Sequence, residues 1–185
     1  MIRKRCAIAL MLFLFISSCS YSPQNEDGSK SWKDQLEEKL PLLGHRNWIL
    51  VVDKAFPLQT GEAIDVIYTG EPLLPVLRHV LNEVETASHV SPTIYTDKEL
   101  EYLDESLVKG IGEYKDSLSA IISSDTRSML HDTVFTNIKQ AAELFQIMVL
   151  KTDKVMPYTS VFIRLDCQYW PAEQEKLLRS KMNGQ

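Results

Sequence analysis

Residues 48–53 read Trp-Ile-Leu-Val-Val-Asp, with no polar break before the last position. A strand with one wet face would alternate, so this run predicts a strand covered on both faces. Residues 63–68, 92–96, 146–151 and 159–165 predict further strands, the first after a turn at Thr60-Gly61. Between them the period lengthens. Leu73, Leu77, Val80, Leu81 and Val84 form one helical stripe opened by Pro72 and Pro75. Ser31 with Asp34 predicts a capping box for a helix from Trp32, with Leu36, Leu40 and Leu43 on one face. Pro41 must kink or end that helix, and Gly44 closes it. Asp97 predicts the cap of a helix to about residue 109, interrupted by Gly110-Ile111-Gly112. Residues 113–131 carry no usable period. A helix is expected near 134–144, and Pro171 opens an amphipathic tail helix bearing Leu177, Leu178 and Met182. Helices alternating with buried strands imply an α/β protein, a three-layer α/β/α single domain with a mainly parallel sheet.

The first nineteen residues follow a different pattern. Arg3, Lys4 and Arg5 precede eleven uncharged apolar residues, Cys6 to Ile16. As a helix these would span roughly 16 Å, too short for a membrane core of roughly 30 Å. A basic segment before a short apolar one reads as a secretory signal. Ile16-Ser17-Ser18-Cys19 resembles the lipobox of bacterial lipoproteins. That resemblance implies a signal peptide over 1–18, cleavage before Cys19 and lipid on its thiol. A polar tether would then occupy 19–31, the folded domain 32–170 and the helical tail 171–185. The expected location is the periplasmic or extracellular face of a cell membrane or outer membrane. Acyl chains would hold the protein there, each buried CH₂ contributing about 0.8 kcal/mol. Ser20 after the cysteine favours sorting to an outer membrane.

Composition narrows the picture. With 44% hydrophobic and 24% charged residues, 7 Gly and 8 Pro, collagen-like and disordered readings fall away. The formal charge of -5 becomes -8 once Arg3, Lys4 and Arg5 leave, so no nucleic-acid partner is expected. With Cys6 removed and Cys19 acylated, Cys167 has no disulfide partner and is assigned no chemistry. His45, His79, His89 and His131 show no His-Glu-x-x-His spacing, and no Gly-x-Ser-x-Gly is present. Neither a metal hydrolase nor a serine nucleophile is indicated.

In open α/β sheets, ligands bind beyond the carboxyl ends of strands, and Asp53 stands at one. Several segments around it share a common pattern. Leu43-Gly44-His45 is followed eight residues after the histidine by Asp53, then Ala55-Phe56-Pro57. Ile64-Asp65-Val66 precedes Gly70 and Pro72, and Lys151-Thr152 precedes Pro157-Tyr158-Thr159-Ser160-Val161. In this order and spacing they resemble the ribose pyranase and fucose mutarotase family over roughly residues 40–165. The resemblance implies a cofactor-free α/β protein interconverting pyranose with furanose forms, or anomers, of a free ribose- or fucose-like monosaccharide. It also implies a homo-oligomeric ring whose sites include residues of neighbouring subunits. By position, His45 matches the catalytic histidine, Asp53 its accompanying aspartate, and Tyr158 a sugar-contacting tyrosine. Ser160 stands where members carry Asn, Asp153-Lys154 where they carry Gly-Glu, and Lys151 where they carry Arg. Many members have a second histidine, for which His131 is the nearest candidate, unaligned because of its distance from Lys151.

These residue types suit the chemistry. Ring opening removes a proton from the anomeric hydroxyl and gives one to the ring oxygen, and a histidine titrating near neutrality serves in either sense. Asp53 would orient His45 or hold a sugar hydroxyl. Tyr158 offers a flat face and an O–H to the sugar, with Ser160 beside it. Neither metal nor nucleotide is required. Two other readings use the same fold: a binding module that has lost the reaction, and a structural envelope lipoprotein.

Overall fold

A computed structural model describes residues 30–122 and 126–184, and the signal segment, Cys19 and most of the tether lie outside them. Helix α1 (Trp32–Lys39) starts at the expected capping box. A single 3-10 turn, Leu40–Leu42, follows because Pro41 has no N–H for the α-helical ladder. Strand β1 (Trp48–Val52) comes next, then β2 (Ile64–Tyr68), α2 (Leu73–Thr86) and β3 (Val90–Asp97). The chain continues through α3 (Glu99–Tyr102), α4 (Ile111–Ser119), β4 (Arg127–Met129) and α5 (His131–Ala142). Strands β5 (Ile147–Lys151) and β6 (Val161–Cys167) and helix α6 (Ala172–Met182) complete it.

The six strands form one sheet in the order β2-β5-β1-β6-β3-β4. Strand β6 runs antiparallel to both its neighbours, β1 and β3; the remaining pairings are parallel. The fold is thus α/β with a mainly parallel sheet. All five residues of β1 are buried because both sheet faces are covered. Ile49 and Val51 face a core built with Leu36, Val76, Leu77, Val80 and Leu118 from α1, α2 and α4. Trp48, Leu50 and Val52 face the opposite core with Val134 and Ile138 of α5 and Phe162. Each such aliphatic side chain contributes about 1.5–3 kcal/mol by leaving water, which is what places β1 near the middle of the sheet.

Three expectations change. The helix foreseen from Asp97 to about residue 109 is only Glu99–Tyr102. After it, Asp104 Oδ1 accepts the N–H groups of Ser106 and Leu107, and Glu105 accepts those of Gly110 and Gly112. Carboxylates that satisfy backbone donors locally compete with the helical ladder, and the chain turns instead. Asp97 itself caps nothing: it is the last residue of β3, fully buried. Within 113–131 the chain forms most of α4 and the three-residue β4, which pairs with β3 from Tyr95↔Arg127 to Asp97↔Met129. A strand of three residues is too short to display a period. Helix α6 forms where expected, but none of its residues is buried, and Leu177 and Met182 stand exposed.

Candidate functional site

Strands β1, β3 and β5 all end on the same side of the sheet, and the antiparallel β6 begins there. Asp53 follows β1. Its Oδ1 accepts the Ala55 N–H (2.8 Å) and its Oδ2 the Ser160 hydroxyl (2.9 Å), while Ser160 Oγ accepts the Asp53 N–H (3.1 Å). Both residues are buried, so the pair locks the end of β1 to the entry of β6. Thr152 Oγ1 donates to the Val52 carbonyl (2.7 Å), tying β5 to the same point. Just before β6, Tyr158 has φ +55, a left-handed conformation that a non-glycine residue holds only when its surroundings impose it.

His131 reaches this end from another direction. As the first residue of α5, its backbone N–H donates to both oxygens of Glu99 (3.2 and 3.1 Å). Its ring Nδ1 lies 3.0 Å from Asp97 Oδ1. An ionised carboxylate only accepts, so the Nδ1–H donates to Asp97. The ring stands edge-on to Phe135 (4.9 Å between centroids) and to Tyr158 (5.4 Å). Three contacts therefore fix its orientation.

Asp97 is 0% exposed, and its Oδ2 has no hydrogen-bond partner among the described residues. Burial pushes its carboxyl above the usual range, the His131 hydrogen bond pulls it back in part, and the charges of Glu99 and Asp53 add to the rise. Tyr114 of α4 donates to the Thr159 carbonyl (2.6 Å), and burial raises its phenol strongly. Lys154 Nζ lies 4.6 Å above the Tyr114 ring, and burial lowers its ammonium. Asp153 points outward to Lys54 (2.7 Å) and Tyr68 (2.7 Å), whose hydrogen bonds hold its carboxyl low. Lys151 Nζ donates to the Phe56 carbonyl (2.7 Å) and so shapes the loop after β1.

Asp53, Phe56, Pro57, His131, Pro157 and Tyr158 line an open cavity of about 230 Å³. That is below the roughly 300–1,000 Å³ of drug-sized sites, as suits a small polar molecule. Ser160 stands behind Asp53 rather than on the cavity wall.

His45 is elsewhere. It precedes β1, whereas Asp53 follows it, and a five-residue strand separates the two ends by roughly 16 Å. Its Nδ1 faces Asp166 Oδ1 at 3.4 Å, beyond the far end of the sheet. Within one chain, then, Asp53 does not orient His45; Asp53 and Tyr158 converge with His131 and Asp97 instead. Asp97 was within reach of the rule that singles out Asp53, since it too ends a buried strand. A capping role at the same position hid it.

No protein-family model matches the chain, and no curated protein matches it in sequence. Solved structures of similar arrangement include RbsD of Bacillus subtilis complexed with D-ribose, 16% identical, with a TM-score of 0.49 over 70% of this chain and 89% of that one. The fucose mutarotase of Streptococcus pneumoniae in complex with L-fucose gives 16%, 0.49, 70% and 89%. FucU of Bifidobacterium longum gives 14%, 0.45, 71% and 92%. Likenesses at this identity bear on the fold alone.

Proposed function

We propose that this protein interconverts ring forms or anomers of a free monosaccharide, with His131 as the acid/base of its own cavity. The observation that carries the reading is the convergence of the His131–Asp97 pair with Asp53 and Tyr158 on one small cavity. The residues divide the work. His131 Nε2 takes the proton of the anomeric hydroxyl and returns one to the ring oxygen, a transfer that typically contributes about 10²–10⁴-fold. Asp97 holds the tautomer and stabilises the imidazolium formed in between. Asp53 accepts sugar hydroxyls with the lone pairs left by Ala55 and Ser160, and Tyr158 supplies a ring face and a hydroxyl.

His45 enters this reading only through a second copy of the chain, since it stands at the opposite end of β1. The ring assembly implied by the sequence resemblance would provide one. Lipid on Cys19 would place that assembly at a membrane, and lipid labelling lost in Cys19→Ser tests the anchor.

The function is tested by saturation-transfer NMR of ribose and fucose with the full chain. Exchange faster than in buffer, reduced at least about tenfold in His131→Ala, supports the proposal; exchange at the buffer rate, or unchanged in that variant, refutes it. A second reading, sugar binding without turnover, is favoured by one feature: Ser160 Oγ is spent on Asp53 as both donor and acceptor. It predicts saturable sugar binding with no added exchange.

A further inference from the structure

Three arginines gather at the other end of the sheet. A second cavity, of about 950 Å³, is lined there by His45, Arg46, Arg127, Arg164, Tyr169 and Trp170, among others. Three guanidiniums on one cavity are unexpected in a chain whose formal charge is -5.

The carboxylates on its wall are already engaged. Asp166 accepts from Thr93 Oγ1 (2.6 Å) and Arg164 Nη2 (3.1 Å) and faces His45. Burial alone would raise its carboxyl, but these bonds and the neighbouring charges outweigh it and hold the group low. Glu175 accepts from Trp170 Nε1 (2.8 Å) and Arg179 Nε (2.6 Å). By contrast, Arg127 has no carboxylate partner among the described residues, and Arg46 has only the Phe145 ring, 5.9 Å from its guanidinium carbon. Arg46 is also held at φ +77. Arg164 Nε is buried with no hydrogen-bond partner among the described residues. A guanidinium N–H removed from water without an acceptor costs free energy until an acceptor arrives.

Two further features converge on the same space. Pro171 and Ala172 also line it, so the amino end of the eleven-residue α6, which has no side-chain cap, opens into the cavity. The Trp170 ring, 42% exposed, stands on the wall with its N–H tied to Glu175, which leaves a fixed apolar face.

We propose that this cavity binds a small phosphate monoester. Arg46 and Arg127 hold the phosphate, with the Asp166-bound Arg164 beside them on the wall, and Trp170 covers the organic group. Arginine forks match phosphate oxygens in pairs, and a helix amino end favours the same charge. Within one chain this site lies at the opposite end of the sheet from the sugar cavity.

The test is NMR titration of the full chain with phenyl phosphate and with inorganic phosphate, using benzyl alcohol as the uncharged control. Saturable shifts of the Trp170 indole N–H and the first-turn amides of α6 are expected, with phenyl phosphate binding more tightly than inorganic phosphate. Arg46→Gln and Arg127→Gln should each weaken binding about tenfold or more. Neither side chain has an ion pair among the described residues, and a well-dispersed amide spectrum checks that each variant folds. The wild-type shift map decides the question even if a variant fails to fold. No saturable shift by about 10 mM, shifts confined to the Asp53–His131 end, or unchanged affinity in both variants would overturn the proposal.

Discussion

Removing the His131 side chain tests the physical core of the candidate site, because Asp97 would then have no hydrogen bond at either oxygen from the described residues. Oδ2 already has no partner among them, and the residue is fully buried. Deleting one member of a buried pair costs about 3–5 kcal/mol when the other stays charged and dry. The His131 side chain is 31% exposed, so water entering its place should reduce that to about 2–3 kcal/mol. For a domain of this size the fall in Tm is then about 5–10 °C. The sign of the pH dependence is fixed as well. Burial raises the Asp97 carboxyl above its ordinary value of 3.8, so the folded chain holds a proton that the unfolded chain releases. Stability from this group is full below that ordinary value and is lost as pH rises through the folded one. Without His131 the folded value rises further, because the bond that lowered it is gone. The deficit of His131→Ala should therefore be small near pH 4 and large at pH 7. Adding Asp97→Asn should recover most of it, since the amide carries no charge to strand. Melts of the wild type, both single variants and the double variant across this range provide the measurement. A deficit independent of pH, or no recovery in the double variant, would show that Asp97 and His131 are not coupled as described.

Smaller perturbations probe the frame around the site. Ser160→Ala removes two hydrogen bonds to the buried Asp53 and should cost about 1–3 kcal/mol, read from the urea midpoint at constant m-value. Ser31→Ala dismantles the capping box of α1 and should cost about 1 kcal/mol by the same assay, with no effect on sugar exchange. Asp153→Ala breaks only exposed contacts to Lys54 and Tyr68, so no resolvable change in Tm is expected at physiological salt.

The sequence alone determined the parts whose signal is local. The unbroken apolar run of β1, the stripe of α2 and the Ser31–Asp34 box each repeat or cap within one element. Their elements appear where the pattern places them. Asp53 stood out because it ends a strand that the pattern reveals, whereas Tyr158 was singled out only through the family resemblance; the structure puts both on the wall of one cavity. Tertiary structure alone decided which side chains meet. His45 and Asp53 are eight positions apart, yet the extended strand between them sends them to opposite ends of the sheet. His131 and Asp97 are 34 positions apart and lie 3.0 Å from each other. That contact depends on β3 and β4 running parallel, so that the residue ending β3 and the helix after β4 arrive at one edge. Strand pairing is set by burial summed over the whole sheet, which no local window records. Asp97 illustrates the difference: locally an aspartate before a short helix reads as a cap, while the fold buries its carboxylate and gives it a histidine.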